Sequence, residues 1–193
     1  GKPLKWTVGA EDPYKGAPLT VAIGKARRIV ITYSSRPDAR ALGWLAPELT
    51  AGKRKPYLFS QGQAINNRSW IPTQDSPGIR QSWSASITVP ANLVAVMSGE
   101  RLTPEGEAAG EGLRRYRFRM DRNVPPYLIA LAVGDIGFRA VDGRTGVFTE
   151  PRQLDRVATE LSDTGKMVTT AEALYGAYRW GRFDVLVLPP SFP

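Results

Sequence analysis

The chain has 193 residues and a formal net charge of +8, with 42% hydrophobic and 23% charged residues. This length and balance fit one globular domain, or one domain and part of a second. The chain contains no Cys and no His, which excludes a disulfide scaffold, a Ser-His-Asp or Cys-His catalytic arrangement, and a zinc site of the usual Cys/His type. Acting alone, the chain is therefore predicted to be inactive as a hydrolase.

The excess positive charge lies in the first part of the chain. Residues 1–137 carry 19 basic and 11 acidic side chains, whereas residues 138–193 carry seven of each. A basic surface of this kind suits an acidic partner or nucleic acid. The basic clusters at 27–28, 53–55 and 114–115 are short and are not joined by aromatic residues. We therefore expect no nucleic-acid binding.

The apolar runs of the chain are short. Those at 127–133 and 185–188 are far below the length of a membrane span, and the first residues lack the apolar core of a signal peptide. We expect a soluble protein with no membrane partner. A chain without Cys suits both a reducing and an oxidising compartment, so cytoplasm and periplasm both remain open.

Strands dominate the predicted elements up to residue 149. In chain order they span 20–23, 28–33, 81–89, 93–98, 113–120, 127–133, 138–141 and 146–149. Segment 81–89 alternates apolar and small polar residues, which predicts one buried and one solvated face. Segment 93–98 is expected to pair with it. The continuous apolar run 127–133 predicts a strand buried on both faces or lying at a domain junction.

Three of the four arginines in the segment 113–120 lie on the same face of the predicted strand. Arg115, Arg117 and Arg119 alternate with apolar residues. This alternation is typical of a half-exposed antiparallel strand whose charged outer face discourages edge-to-edge pairing. A stripe that binds an anionic partner is the alternative.

The pattern changes after Glu150. Apolar residues at spacings of three and four predict two helices, the first of which begins at Pro151. In the second helix we expect these residues to face inward: Met167, Val168, Ala171, Leu174 and Tyr175. A strand at 184–188 then enters a proline-rich segment. Such a strand needs further chain to pack against, so we expect the sequence to be part of a larger protein.

Five segments carry a resemblance to a known family through their order and spacing. They are YLFSQGQAINNR at 57–68, IPTQDSP at 71–77, VAVMSG at 94–99, PYLIAL at 126–131, and YRWGRFDVLVLPPSFP at 178–193. From about Gly16 to the last residue, the chain resembles the zinc aminopeptidases of peptidase family M1 (the gluzincins), and in particular the leukotriene A(4) hydrolase subgroup.

The resemblance implies a mainly β fold in two parts. Residues 1–137 would be the later part of a saddle-shaped N-terminal β domain, and residues 138–193 the α/β beginning of a thermolysin-like catalytic domain. The family's Gly-x-Met-Glu-Asn substrate loop, its His-Glu-x-x-His zinc helix, its third glutamate ligand and its catalytic tyrosine would all lie beyond Pro193. Zinc is thus expected in the full-length parent, while this chain is expected to bind no metal and to hold no catalytic residue.

The resemblance also implies a metallopeptidase activity and a substrate site. In the parent, zinc would activate a water molecule and polarise the bond next to the N-terminal residue of a peptide. Gln63 would then contact the free amino group of the substrate, Gln61 would line the first-residue pocket, and Gly62 would allow close approach. The expected partners are peptides with a free N-terminus and the remaining catalytic and C-terminal domains of the parent.

Other interpretations of the same residues stay open. Taken by themselves, the two glutamines fit an ordinary polar turn, since Gln is mostly exposed. The whole chain also fits a non-enzymatic basic β domain that binds peptide ends or acidic partners.

Asp75 is predicted to organise a turn with its own backbone. Trp70, Trp83 and Trp180 are predicted to be core residues.

Overall fold

The computed structural model describes residues 2–192. Within this range the chain is mainly β. The strands are β1 (Trp6–Val8), β2 (Leu19–Val21), β3 (Leu42–Leu45), β4 (Tyr57–Ser60), β5 (Gln81–Pro90), β6 (Val94–Met97), β7 (Glu100–Arg101), β8 (Glu107–Ala108), β9 (Leu113–Val124), β10 (Leu131–Gly134), β11 (Gly137–Ala140), β12 (Thr145–Thr149) and β13 (Phe183–Leu186). The α-helices are α1 (Leu154–Glu160) and α2 (Thr164–Tyr175).

The strands form three main sheets and one hairpin. The outer sheet has the order β5-β9-β7, with β8 also paired to β9, and the middle sheet has the order β3-β4-β10-β6. The C-terminal sheet has the order β11-β12-β13, in which β12 and β13 run parallel. β1 and β2 pair with each other alone. The mainly β class expected from the sequence is confirmed.

The middle sheet is buried on both faces. Ala95 and Met97 of β6 belong to the core shared with the outer sheet, whereas Val96 between them belongs to the core shared with Phe148 of the C-terminal sheet. Successive side chains of a strand point to opposite faces, so a strand covered on both sides has to be apolar at every position. The same holds for β10, where all four residues are buried.

Residues after Gly137 are packed firmly against the middle sheet. The ring of Phe192 meets the ring of Phe59 edge-on, with centroids 5.2 Å apart, and the hydroxyl of Ser191 donates to the carbonyl of Leu49 at 2.6 Å. Glu150, 2% exposed, follows β12. Its carboxylate accepts backbone N–H bonds from Ala51 and Gly52 at 2.7 and 2.9 Å, which offset the cost of burying the charge.

Several predicted elements are confirmed. β5 spans Gln81–Pro90 and alternates half-buried and exposed residues up to Thr88, and β9 extends the predicted strand to Val124. β11 and β12 pair antiparallel, as expected. The apolar run 127–133 is confirmed as doubly buried only in its second half. Its first half is a 3₁₀ turn, Pro126–Leu128, because two consecutive prolines withhold ladder donors there.

Two strand predictions are wrong. Residues 28–33 form no strand, and their apolar members Ile29 and Val30 are 40% and 80% exposed, so no neighbouring surface is present to order them as a strand. The strand at 93–98 exists as β6, but it pairs with β10 rather than with β5. The three residues that separate β5 from β6 turn the chain from the outer to the middle sheet, which lets Leu93 and Val89 meet in the core between the sheets.

The inward face predicted for α2 is also wrong. Only Val168 among the five predicted residues is buried, whereas Met167, Leu174 and Tyr175 are 67%, 69% and 87% exposed. Trp180 is likewise 47% exposed, although Trp70 and Trp83 pack on the core as predicted. The sequence periodicity correctly predicted the helix. It could not show whether another element packs against the apolar side of that helix.

No helix within residues 2–192 is both long and apolar enough to cross a membrane.

The end of α2 is fastened by a carboxylate. Glu172 accepts two hydrogen bonds from the Arg144 guanidinium, at 2.8 and 2.9 Å, and one from the backbone N–H of Tyr178 at 2.9 Å. These bonds, with that of Arg144 the strongest, lower the pKa of Glu172 from 4.5 to about 2. The charge of Glu172 therefore joins α2 to the turn between β11 and β12 and to the segment that leads into β13.

Replacement of Glu172 by Gln is expected to lower the thermal stability at pH 7 and to matter less in acid. The pKa of Glu172 is lower in the folded than in the unfolded chain, so its contribution is complete above about pH 4.5 and is lost as the pH falls towards about 2. Circular dichroism melts of the two proteins at pH 7, 4 and 3 measure this. The exposed Glu160, replaced by Gln, is the matched control. A Tm difference that does not shrink on acidification would contradict the assignment.

Candidate functional site

The segment Gln61–Gly62–Gln63 lies directly beyond the end of β4. The backbone N–H of Gln61 donates to the carbonyl of Ala41 at 2.7 Å, which continues the pairing of β3 with β4 by one bond. Gln61 and Gln63 are exposed, whereas Gly62 between them is buried. Within the described chain neither glutamine side chain makes a hydrogen bond. The interpretation as a turn whose glutamines satisfy nearby backbone thus has no support in these contacts.

Gly62 is required by close packing and not by its backbone angle. A Cβ at this position would lie 2.6–2.7 Å from three atoms of the Asn67 side-chain amide, which is nearer than carbon atoms are tolerated. Asn67 is fully buried and has no room to withdraw. The absence of a side chain at Gly62 therefore lets the Gln61–Gln63 backbone lie directly on the Asn67 amide.

Asn67 joins three parts of the chain. Its amide nitrogen donates to the carbonyls of Pro126 and Ile129 at 2.6 and 2.8 Å, and its amide oxygen accepts from the indole N–H of Trp70 at 2.8 Å. Asn67 thereby meets nearly all of the hydrogen-bonding capacity of a buried amide. The loop that carries the glutamines is held against the turn preceding β10 by these bonds.

The loop itself is closed by further hydrogen bonds. The backbone N–H of Asn66 donates to the carbonyl of Gly62 at 2.8 Å, and its side-chain amide donates to the carbonyl of Gln63 at 3.0 Å. The hydroxyl of Ser69 accepts from the N–H of Ala41 and donates to the carbonyl of Asn66. The backbone around both glutamines is thus fixed while their side chains remain free, which is the arrangement expected of a binding surface.

Asp75 is structural, but its partner differs from the prediction. The buried Asp75 carboxylate accepts from the backbone N–H of Arg68 at 2.9 Å and lies 3.6 Å from the Arg68 guanidinium, which also donates to the Asp75 carbonyl. The expected turn with its own following backbone is replaced by this contact. Asp75 therefore supports the far end of the loop that contains Asn67.

Two of the three arginines on the predicted stripe of β9 have carboxylate partners, while Arg115 donates to the Thr88 hydroxyl. Arg117 pairs with Glu107 at 3.1 Å, and Arg119 pairs with Glu100 and Asp121 at 2.8 and 3.2 Å. These carboxylates come from β7, β8 and β9 itself. The half-exposed antiparallel strand is confirmed, but β9 pairs with β5 on one side and with β7 and β8 on the other, so its charged face protects no free edge. The ion pairs of Arg117 and Arg119 argue against a stripe that binds anions.

The described residues do not fit a metal ion. Nowhere in 2–192 do three or more Asp, Glu, His or Cys side chains come together in a group able to hold one. The carboxylates nearest to the candidate site act as acceptors for neighbouring residues, as Asp75 does for Arg68.

Asn67 was not singled out by the sequence analysis, although it stands within the segment 57–68. The sequence does not distinguish it from Asn66. That Asn67 and not Asn66 turns inward depends on the position of Pro126 and Ile129, 59 and 62 residues further along the chain.

Replacement of Asn67 by Ala is expected to lower the free energy of unfolding by about 3 kcal/mol or more, since two carbonyls and an indole N–H lose their partner and each costs about 1–3 kcal/mol. Urea unfolding followed by tryptophan fluorescence measures this. Asn66→Ala is the matched control, because the Asn66 amide makes a single bond to the carbonyl of Gln63 and should cost less than about 1 kcal/mol. Equal losses from both variants would contradict the role given to Asn67.

Comparison with known proteins identifies the family. Residues 20–128 match the family model described as the peptidase M1 N-terminal domain. Leukotriene A-4 hydrolase of Xenopus laevis is 39% identical over 199 residues, which cover 100% of this chain and 33% of that protein. Aminopeptidase B of Homo sapiens is 42% identical over 167 residues, which cover 86% of this chain and 25% of that protein.

A solved structure agrees in fold. Native leukotriene A4 hydrolase from Saccharomyces cerevisiae superposes with a TM-score of 0.84 at 30% identity, over 100% of this chain and 30% of that one. The chain thus spans about a third of the length of the relatives it matches. Because the family model covers more than half of the sequence, the chain belongs to the M1 peptidases and carries their N-terminal domain.

Proposed function

We propose that this chain is part of a zinc-dependent aminopeptidase that removes N-terminal residues from peptides. In this proposal the chain supplies substrate-binding surface, and the zinc and the catalytic groups belong to the rest of the parent. Similarity to leukotriene A-4 hydrolase and aminopeptidase B supports the enzyme class.

One observation carries the binding role. The backbone of Gln61–Gln63 is fixed by Gly62 on Asn67, and both glutamine side chains are exposed with their amide oxygens free. An amide oxygen accepts hydrogen bonds from an ammonium group, and a fixed backbone lowers the entropy lost when a ligand binds. We assign Gln63 to the amino group of the substrate and Gln61 to the pocket for its first side chain.

The proposed division places residues 1–137 in the N-terminal β domain and residues 138–193 in the beginning of the catalytic domain. Two features support it. β11 begins at Gly137, next to this boundary, and starts a separate sheet. The only helices of the described chain longer than one turn also follow the boundary. The contacts of Glu150 and Phe192 then join the two parts, so that Gln61–Gln63 keeps a constant position relative to residues 188–192.

The full-length parent tests the enzyme assignment directly. It should hydrolyse an aminoacyl p-nitroanilide, lose the activity on dialysis against a chelator, and recover it with Zn²⁺. An N-acetylated substrate should remain intact, because the assigned contact needs a free amino group. The 193-residue chain by itself should be inactive with or without Zn²⁺. A zinc-loaded parent without activity would refute the proposal.

Replacement of Gln63 by Leu in the parent is expected to lower kcat/KM about ten-fold or more, since a hydrogen bond to a charged group is worth roughly 1.5–3 kcal/mol. Steady-state kinetics on a peptide with a free N-terminus measure the effect. Gln74→Leu is the matched control, because Gln74 is also exposed but lies outside the assigned segment. Unchanged kinetics in the Gln63 variant would remove this residue from the site.

A further inference from the structure

A large cleft separates the outer sheet from the C-terminal sheet. Its volume is about 1560 Å³, and its walls include β7 and β9 on one side and residues 178–186 on the other. Phe138 and Trp180 line it and are 38% and 47% exposed. It lies apart from Gln61–Gln63, which is not among its lining residues. The cleft therefore has an aromatic wall that nothing in the described chain covers.

Arg101 of β7 reaches across this cleft. The carbon at the centre of its guanidinium lies 4.8 Å from the ring centroid of Phe148 and 5.5 Å from that of Phe138. Such stacking positions a guanidinium on an aromatic face and stabilises it in part. The cation–π contacts of Arg101 with these two rings thus link the outer sheet to the C-terminal sheet.

The hydrogen-bonding capacity of Arg101 is mostly unused. One terminal nitrogen donates to the carbonyl of Pro104 at 2.8 Å, while the buried Nε has no partner in the described chain. Within residues 2–192 no carboxylate comes within ion-pair distance of this guanidinium. Burial lowers the pKa of Arg101, as expected for a cation removed from water without a counter-ion. Buried donors of this kind normally have a partner.

Two other arginines of the same cleft have carboxylate partners. Arg119 pairs with Glu100 at 2.8 Å, and Arg182 pairs with Asp184 at 3.0 Å. The Arg182 guanidinium also donates to the carbonyl of Gly143.

Arg114 of the cleft is also half-buried and without a carboxylate, but its guanidinium donates to the carbonyl of Glu105. Arg101 differs from it in carrying a buried Nε that has no hydrogen-bond partner in the described chain. Its second terminal nitrogen, Nη1, makes no hydrogen bond in the described chain, and a guanidinium nitrogen donates a strong, charge-assisted hydrogen bond to a carboxylate oxygen.

We propose that an Asp or Glu side chain from a part of the parent outside these 193 residues enters the cleft and pairs with Arg101. This proposal rests on the proposed function in one respect, because both require a parent protein that is longer than this chain. The relatives are about three times as long as the matched part, so ample chain exists to fill a cleft of this size. The occupying segment presents apolar side chains to Phe138 and Trp180 on either side of its carboxylate.

Carbodiimide cross-linking of the full-length parent tests the pairing. Arg101→Lys places a primary amine in the cleft, which a carbodiimide joins to an adjacent carboxylate as an amide with loss of water. Mass spectrometry of the digest should show position 101 linked to an Asp or Glu outside residues 1–193 of the same molecule. Arg115→Lys is the matched control, because Arg115 lies on the same strand face as the paired arginines and donates to Thr88. Its cross-links should not reach that acidic residue.

Every other result of the cross-linking experiment overturns the proposed pairing of Arg101. A link from position 101 to Glu105 or Asp184 would mean that the chain neutralises its own arginine. No link, or one only between molecules, would mean that the cleft is filled by solvent or by a separate protein. Hydrolysis of an aminoacyl substrate by the same Arg101→Lys sample separates the two proposals. An active sample without the link refutes only the cleft assignment, and an inactive parent with the link refutes only the proposed function.

Discussion

The candidate site depends on one buried amide. Asn67 holds the turn before β10 with its nitrogen and Trp70 with its oxygen, and the backbone of Gly62 rests on it. A buried amide without partners is costly, whereas a fully bonded one admits few alternative arrangements. The position of the Gln61–Gln63 segment is therefore decided by a residue that has no contact with the solvent and no chemistry of its own.

A second constraint connects the candidate site to the rest of the molecule. The middle sheet is covered on both faces, so its strands connect two cores: β4 places Leu58 against the outer sheet and Phe59 against the C-terminal sheet. Phe59 contacts Phe192 and lies two residues before Gln61. A displacement of the segment 188–192 would consequently shift Phe59 and the end of β4. In the proposed function, this contact would hold the segment Gln61–Gln63 in a fixed position relative to the residues that follow Gly137.

Exposed apolar side chains occur throughout the described chain: Val30 and Trp44 are exposed before Gly137, and Leu174 and Tyr175 after it. Buried polar atoms without a partner are likewise found on both sides of this residue. Exposure by itself therefore does not separate the two proposed parts. The proposed division rests instead on the separate sheet that begins with β11 and on the helices α1 and α2.

The sequence by itself determined the strands in which apolar and polar residues alternate. The alternation of 81–89 and 113–120 shows which residues are solvated, and the order and spacing of five segments, 57–68 among them, indicate the family. Tertiary structure alone decided that β6 pairs with β10, that the apolar side of α2 stays uncovered, and that Asn67 turns inward. The physical reason is the same in each case. Alternation and propensity depend on neighbouring residues, whereas pairing, burial and hydrogen-bond partners depend on residues far apart in the chain.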